Sequence, residues 1–182
     1  MPSDPLGSSL LTLARNAIGK RFGVAECAVA AHPSLQDLGA TFVTLTQDGQ
    51  LRGCIGSLEA HRTLADDVAE NAVAAAFRDP RFPPLTSDEL DRTRVEVSLL
   101  EPAQPFVFAD EDDALARLRP GRDGLILTHG LRRATFLPQV WETLPNARQF
   151  LAQLKLKAGL PADFWDKKIT LSRYGVQKWK ET

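Results

Sequence analysis

The chain has 182 residues, with 22 Lys and Arg against 23 Asp and Glu, a formal charge of −1. Its 43% hydrophobic and 25% charged content is ordinary for a globular protein. Such a chain buries roughly 70% of its unfolded surface without a disulfide or metal staple. No apolar run approaches the roughly 20 residues that cross a bilayer, and the near-neutral balance argues against duplex nucleic acid as the main partner.

The opening Met-Pro-Ser-Asp-Pro has no basic segment followed by an apolar one, so no signal peptide is expected and the chain is assigned to the cytoplasm. Residues 1–8, rich in Pro, Ser and Gly, read as a flexible lead to a domain over 9–182. Leu10, Leu13, Ala14, Ala17, Ile18 and Phe22 recur at helical spacing, and Gly23 ends the pattern. Residues 31–39 read as a connection. Phe42 to Thr46 is β-branched and aromatic, and Asp48-Gly49 predicts a hairpin that returns through Gln50 to Ile55. An alanine-rich helix is expected from Leu64 to Phe77, with Thr63 as N-cap and Asp79-Pro80 as stop.

The prolines of Arg81-Phe82-Pro83-Pro84-Leu85 predict an ordered loop, followed by a helical turn at 87–90 and a strand from Arg94 to Leu100. Residues 101–113 carry five acids and no base. A short helix is expected over Ala114 to Leu118 and a second hairpin over 124–128 and 133–137. Pro138 precedes a helical Gln-Val-Trp-Glu, and a longer helix runs from Asn146 to Ala158, ended by Gly159. Ile169 to Ser172 and Val176 to Trp179 read as a closing strand pair. Hairpins and separate helices together indicate an α+β fold.

The chemistry concentrates in Leu51-Arg52-Gly53-Cys54-Ile55-Gly56. A Cys between glycines stands where backbone and ligand can approach closely, and strict alternation puts Arg52 on the face of Cys54, where a guanidinium favours a thiolate. A second reading stays open. Counting outward from the Asp48-Gly49 turn sets Cys54 opposite Val43 and Arg52 opposite Leu45, which makes Cys54 a buried small hydrophobe. Cys27 reads as plain core. His32, His61 and His129 are the only imidazoles, and His61, seven residues after Cys54, is the best placed as a base. No Cys-x-x-Cys, His-x-x-x-His, dinucleotide or P-loop pattern occurs, so neither metal nor cofactor is expected.

Around this motif, Asn71 is an unexpected amide in an apolar helix, and Glu96 and Ser98 share one strand face. Arg52 and Arg81 add positive charge for an anion. From Lys155 onward seven bases stand against three acids, with Trp165, Tyr174 and Trp179 interleaved. That pattern fits base stacking on a basic surface, or aromatics packed beside solvated lysines.

Taken in order, Phe42-Val-Thr-Leu, Leu51-Arg-Gly-Cys-Ile-Gly56, Asn71-Ala-Val-Ala-Ala-Ala-Phe77 and Asp79-Pro-Arg-Phe82 resemble the AMMECR domain family. So do Glu96-Val-Ser98, Gly121-Arg-Asp-Gly124, Phe136-Leu-Pro-Gln-Val-Trp141 and Lys157-Ala-Gly-Leu160, a match over about residues 8–180. The form resembles the prokaryotic branch, protein A of the AmmeMemoRadiSam system. Relatives often have Pro-Leu where this chain has Thr63-Leu64. The resemblance implies a two-lobed α+β fold with antiparallel or mixed sheet and packed helices, the signature lying near a cleft. It also implies two partners, a Memo-like protein and a radical S-adenosylmethionine protein.

The leading expectation is an accessory enzyme acting on a small molecule or protein by Cys-dependent acyl-type transfer or hydrolysis. Cys54 is then the nucleophile, with Glu96 moving a proton and Arg52 assisting the thiolate. Gly53 and Gly56 admit substrate, and Asn71, Arg81 and Ser98 orient it. The alternatives are a non-enzymatic scaffold for the same partners, docking around Phe82 and Trp141, and an RNA-binding protein.

Overall fold

The computed structural model describes residues 4–182. In chain order these form α1 (Pro5–Lys20), β1 (Leu38–Gly39), β2 (Thr41–Gln47), β3 (Gln50–Gly56), β4 (Arg62–Thr63), α2 (Leu64–Phe77) and β5 (Thr93–Leu100). There follow β6 (Gln104–Phe106), α3 (Glu111–Arg117), β7 (Gly124–His129), β8 (Arg132–Phe136), α4 (Ala147–Lys157), β9 (Thr170–Tyr174) and β10 (Val176–Lys180). The architecture is α+β, and the chain divides into two compact units. The first comprises the residues up to Leu100 with Gln177–Thr182; the second is Glu101–Val176.

The first unit is a four-stranded sheet in the order β10-β5-β2-β3, with α1 and α2 packed on one face. Its core follows from alternation. Val43, Leu45, Val95 and Val97 point to the helices and meet Leu10, Ile18, Val68 and Ala72. Helix α2 forms where the sequence predicts it: the Thr63 side chain accepts from the Asp66 N–H at 3.2 Å, and Asp66 and Asp67 complement the positive end of the dipole. The β2–β3 turn is also as predicted, with Asp48 and Gly49 both at positive φ, the conformation of a two-residue hairpin loop.

The second unit has the sheet order β6-β9-β7-β8, with Phe150, Leu151 and Leu154 of α4 filling its core. Trp141 is 3% exposed and stacks on Phe150 with ring centroids 3.8 Å apart. It is therefore a core residue and not the docking surface proposed for the scaffold alternative. Lys155 is likewise buried, ion-paired with Glu111.

Several expectations are corrected. Helix α1 begins at Pro5, because Asp4 accepts from the Leu6 N–H at 3.1 Å and proline is well suited to the first turn. The expected lead thus keeps only residues 1–3, which lie outside the described residues. Helix α3 starts at Glu111 instead of Ala114, because Asp110 caps it, accepting from the Asp113 N–H at 2.8 Å. Strand β6 lies inside the acidic stretch. The last two strands do not pair: β9 joins β6 and β7, whereas β10 joins β5 in the other sheet. Cys27 is exposed, its backbone held by both ends of the Asn16 amide.

Candidate functional site around Cys54

A single bulge decides where Cys54 points. Gln47 pairs with Gln50 and Thr46 with Leu51, but Leu45 then pairs with Gly53, Thr44 with Cys54 and Val43 with Ile55. Arg52 is the extra residue. One inserted residue moves every later side chain to the opposite face, so the expected pairings of Cys54 with Val43 and Arg52 with Leu45 are both wrong. Cys54 lies in a row with Thr44 and Glu96, on the face away from α1 and α2. It is half-buried, and the Thr44 hydroxyl donates to its sulfur at 3.2 Å. At the end of the row, Lys178 Nζ stands 3.9 Å from the Glu96 carboxylate.

The backbone of Cys54 is held from the sheet edge by Asp79 and Arg81. Strand β3 has no strand beyond it. The Cys54 N–H donates to Asp79 Oδ2 at 2.9 Å, and Arg81 Nη2 donates to the Cys54 carbonyl at 3.4 Å. Together they stand in for a missing strand and close this edge position. Asp79 also accepts from the Arg81 backbone N–H at 3.1 Å, from Nε at 3.0 Å and from Nη2 at 2.8 Å. The Arg81 side chain holds the Asp79 carboxyl well below the ordinary range, with further help from the Cys54 N–H, although burial works in the opposite direction. In return, the bonds to Asp79 raise the Arg81 pKa, and charge on Cys54 adds a smaller push.

Arg52 does not serve the thiol as expected. Its side chain bonds Glu89 through Nε at 2.9 Å and Nη2 at 3.0 Å, and its buried Nη1 has no hydrogen-bond partner among the described residues. This fork, aided by Thr86 and Gln47, lowers the Glu89 pKa to about 2 against the cost of burial. Both guanidiniums stand near the Phe82 ring, Arg52 Cζ 6.0 Å and Arg81 Cζ 5.6 Å from its centroid.

The glycines make room for protein. A Cβ on Gly53 would stand under 3.0 Å from the Ala75 carbonyl oxygen of α2, and one on Gly56 would run into the Phe42 ring. Asn71 is 4% exposed, and its Nδ2 faces Thr41 O, Thr41 Oγ1, Ser57 Oγ and Asp67 Oδ2 at 3.0–3.2 Å. That amide ties α2 to β2 and leaves no donor for a ligand. Ser98 is buried beside Phe42 on the Cys54 face.

No histidine joins the thiol. His32 caps a helical turn through Nδ1, His61 faces Glu59 at 3.4 Å, and His129 lies in the second unit, 3.0 Å from Asp166. Thr44 and Lys178 were missed, because the expected register sent Cys54 to the other face. Asp79 was legible only as part of the Asp-Pro-Arg-Phe block.

Of the tail aromatics, Tyr174 is buried, Trp165 packs on the second core and Trp179 packs on the first. This is the packed reading of that pattern. Among the described residues, no group of three or more His, Cys, Asp or Glu is gathered to hold a metal, and no helix is long and apolar enough to cross a membrane.

The AMMECR1 family model matches residues 11–179. A protein of Methanothermobacter thermautotrophicus is 44% identical over 142 residues, covering 77% of this chain and 74% of its own. One from Sulfolobus acidocaldarius is 34% identical over 185 residues, covering 97% and 82%. The crystal structure of an uncharacterised protein from Pyrococcus horikoshii superposes with a TM-score of 0.80 at 32% identity, over 98% of this chain and 93% of that one.

Proposed function

The chain belongs to the AMMECR1 family, and from that premise we propose that it is a cytoplasmic accessory enzyme whose Cys54 takes an acyl-type group from a small-molecule or protein substrate. It works with a Memo-like protein and a radical S-adenosylmethionine protein, the partners that the family resemblance implies. One observation carries the reading. A cysteine kept only for packing belongs among Val43, Val97 and α2, yet Cys54 stands half-buried in a polar row with a hydroxyl donor 3.2 Å from its sulfur.

In the proposed step the thiol gives up its proton and Sγ attacks the acyl carbonyl carbon. The sulfur–carbon bond forms, the bond to the leaving group breaks with its electron pair, and the leaving group takes a proton. The Thr44 hydroxyl, which donates to the sulfur, steadies the thiolate, and Glu96, two strand spacings (about 10 Å) along the row, exchanges the proton with the thiol and the leaving group through solvent. Water then attacks the thioester carbon and releases the acid and the thiol.

Incubation with p-nitrophenyl acetate, followed by peptide mass spectrometry, tests the chemistry. The expected result is an acetyl group on Cys54 that decays in water and is lost in Cys54→Ala. Acetylation of Cys27 alone refutes the reading. Titration with the two purified partners tests the association, which should survive Cys54→Ala; if neither binds, that half of the proposal is wrong. Binding by a protein whose Cys54 is inert would leave a scaffold in place of an enzyme.

A further inference from the structure

Arg81 is built more rigidly than an edge cap requires. Its Nε and Nη2 are committed to Asp79, whose side chain is only 2% exposed, and one face of its guanidinium stands near Phe82. Nη1 bonds to no described residue, and the side chain as a whole is 55% exposed. The guanidinium is fixed along its Nε–Nη2 edge, with Nη2 shared between Asp79 and the Cys54 carbonyl, which leaves Nη1 as a held, outward donor for an anion. The shared Nη2 donates, at 3.4 Å, to the carbonyl of the residue that carries the nucleophile.

The rest of that sheet face has the same sign. Thr46 pairs with Arg94, whose side chain, among the described residues, bonds the Asp91 carbonyl through Nη1. Lys178 lies at Glu96, and alternation along β10 puts Lys180 on the face of Lys178. Glu96, half-buried, is the carboxylate in this row, and Lys178 stands 3.9 Å from it and offsets its charge. Asp79 is capped by four donors and turned inward.

We infer that the acyl donor of Cys54 carries a carboxylate, held by Nη1 of Arg81 while the reactive carbon faces the sulfur. This deepens the thiol reading above and rests on it. Arg94, Lys178 and Lys180 supply the field that draws the anion in, and Arg81 supplies the directed contact.

A matched pair of alkylating reagents tests this. Iodoacetate and iodoacetamide react identically in kind: the sulfur–carbon bond forms, iodide leaves with its electron pair, and the thiol proton goes to buffer. They differ in one negative charge. Cys27 is exposed and lies beside Glu26, so it is a reference thiol within the same molecule.

The rate ratio of iodoacetate to iodoacetamide is expected to be about fourfold higher at Cys54 than at Cys27, the value for unit charges ~5 Å apart in a water-like dielectric. Arg81→Gln should remove most of the excess over Cys27, leaving only the part due to Arg94, Lys178 and Lys180, Arg81→Lys should keep most of it, and added salt should erode it. If Arg81→Gln does not fold, the wild-type contrast and its salt dependence still decide. Equal ratios at the two cysteines in the wild type overturn the carboxylate inference while leaving a reactive thiol in place. Failure of both reagents to modify Cys54 overturns the thiol reading and this inference with it.

Discussion

Gly53→Ala isolates the packing that fixes the Cys54 motif. In the wild type the strand at residue 53 lies against the backbone of α2: an added Cβ would be under 3.0 Å from the Ala75 oxygen and 3.1 Å from its carbonyl carbon. The obstacle is backbone, so no side-chain rotation relieves it. The helix must withdraw by about 1 Å, which sacrifices a share of the dispersion contacts along its length. Overpacking costs about 1–3 kcal/mol, and backbone obstruction places this site at the upper end. The lost freedom of glycine in the unfolded chain returns about 0.4–1 kcal/mol, so the expected net loss is ~2 kcal/mol.

Urea unfolding with hydrogen exchange of the α2 amides is the assay, because two compact units need not unfold together. With a slope of about 2 kcal/mol per molar, the midpoint of the first unit should fall by ~1 M. An unchanged midpoint would refute the close approach of α2 to β3. A stable Gly53→Ala protein that had lost acylation at Cys54 would instead restore the view that Gly53 admits substrate.

Gly7→Ala should lower the melting temperature, since its Cβ would enter the Trp179 ring, which is itself held by Asp4 Oδ2 at 3.0 Å. A loss of about 1–2 kcal/mol is expected, and Trp179→Ala should abolish any further penalty from the glycine change. Asn71→Ala leaves the buried Asp67 and Thr41 oxygens short of a donor and should cost about 2–3 kcal/mol by chemical denaturation. The Glu89 and Asp79 carboxyls are held below their unfolded values, so the unfolded chain binds protons that the folded one refuses. Their stabilisation is complete above pH ~4.5 and is lost as pH falls toward about 2 for Glu89, and lower still for Asp79. Urea midpoints at pH 7 and pH 3 should converge in Glu89→Gln relative to the wild type.

The helix at 64–77 and the turn at Asp48-Gly49 were legible because their signals are local: a Thr cap, a run of alanines, and two residues suited to positive φ. The site was not legible in detail, because one bulged residue, Arg52, has no compositional mark. Strict alternation placed Arg52 beside Cys54; the bulge sends it to Glu89 and turns Cys54 toward Thr44. The partner of the last strand was hidden for a different reason. Residues 170–180 read as two adjacent strands, and which sheet each joins depends on pairing with β5 or β7, far away in the chain. Pro5 looked like part of a loose lead because proline marks both loops and first helical turns, and the Asp4 cap decides between them.

A working thiol at Cys54, as proposed, must react ahead of a cysteine that is merely accessible. Limiting iodoacetamide at neutral pH, read by peptide mass spectrometry, sets it against Cys27 in the same molecule. Half-buried Cys54 is expected to be alkylated faster than exposed Cys27, and Thr44→Val should slow Cys54 alone. A Cys54 that stays unmodified while Cys27 is consumed would contradict the thiol reading.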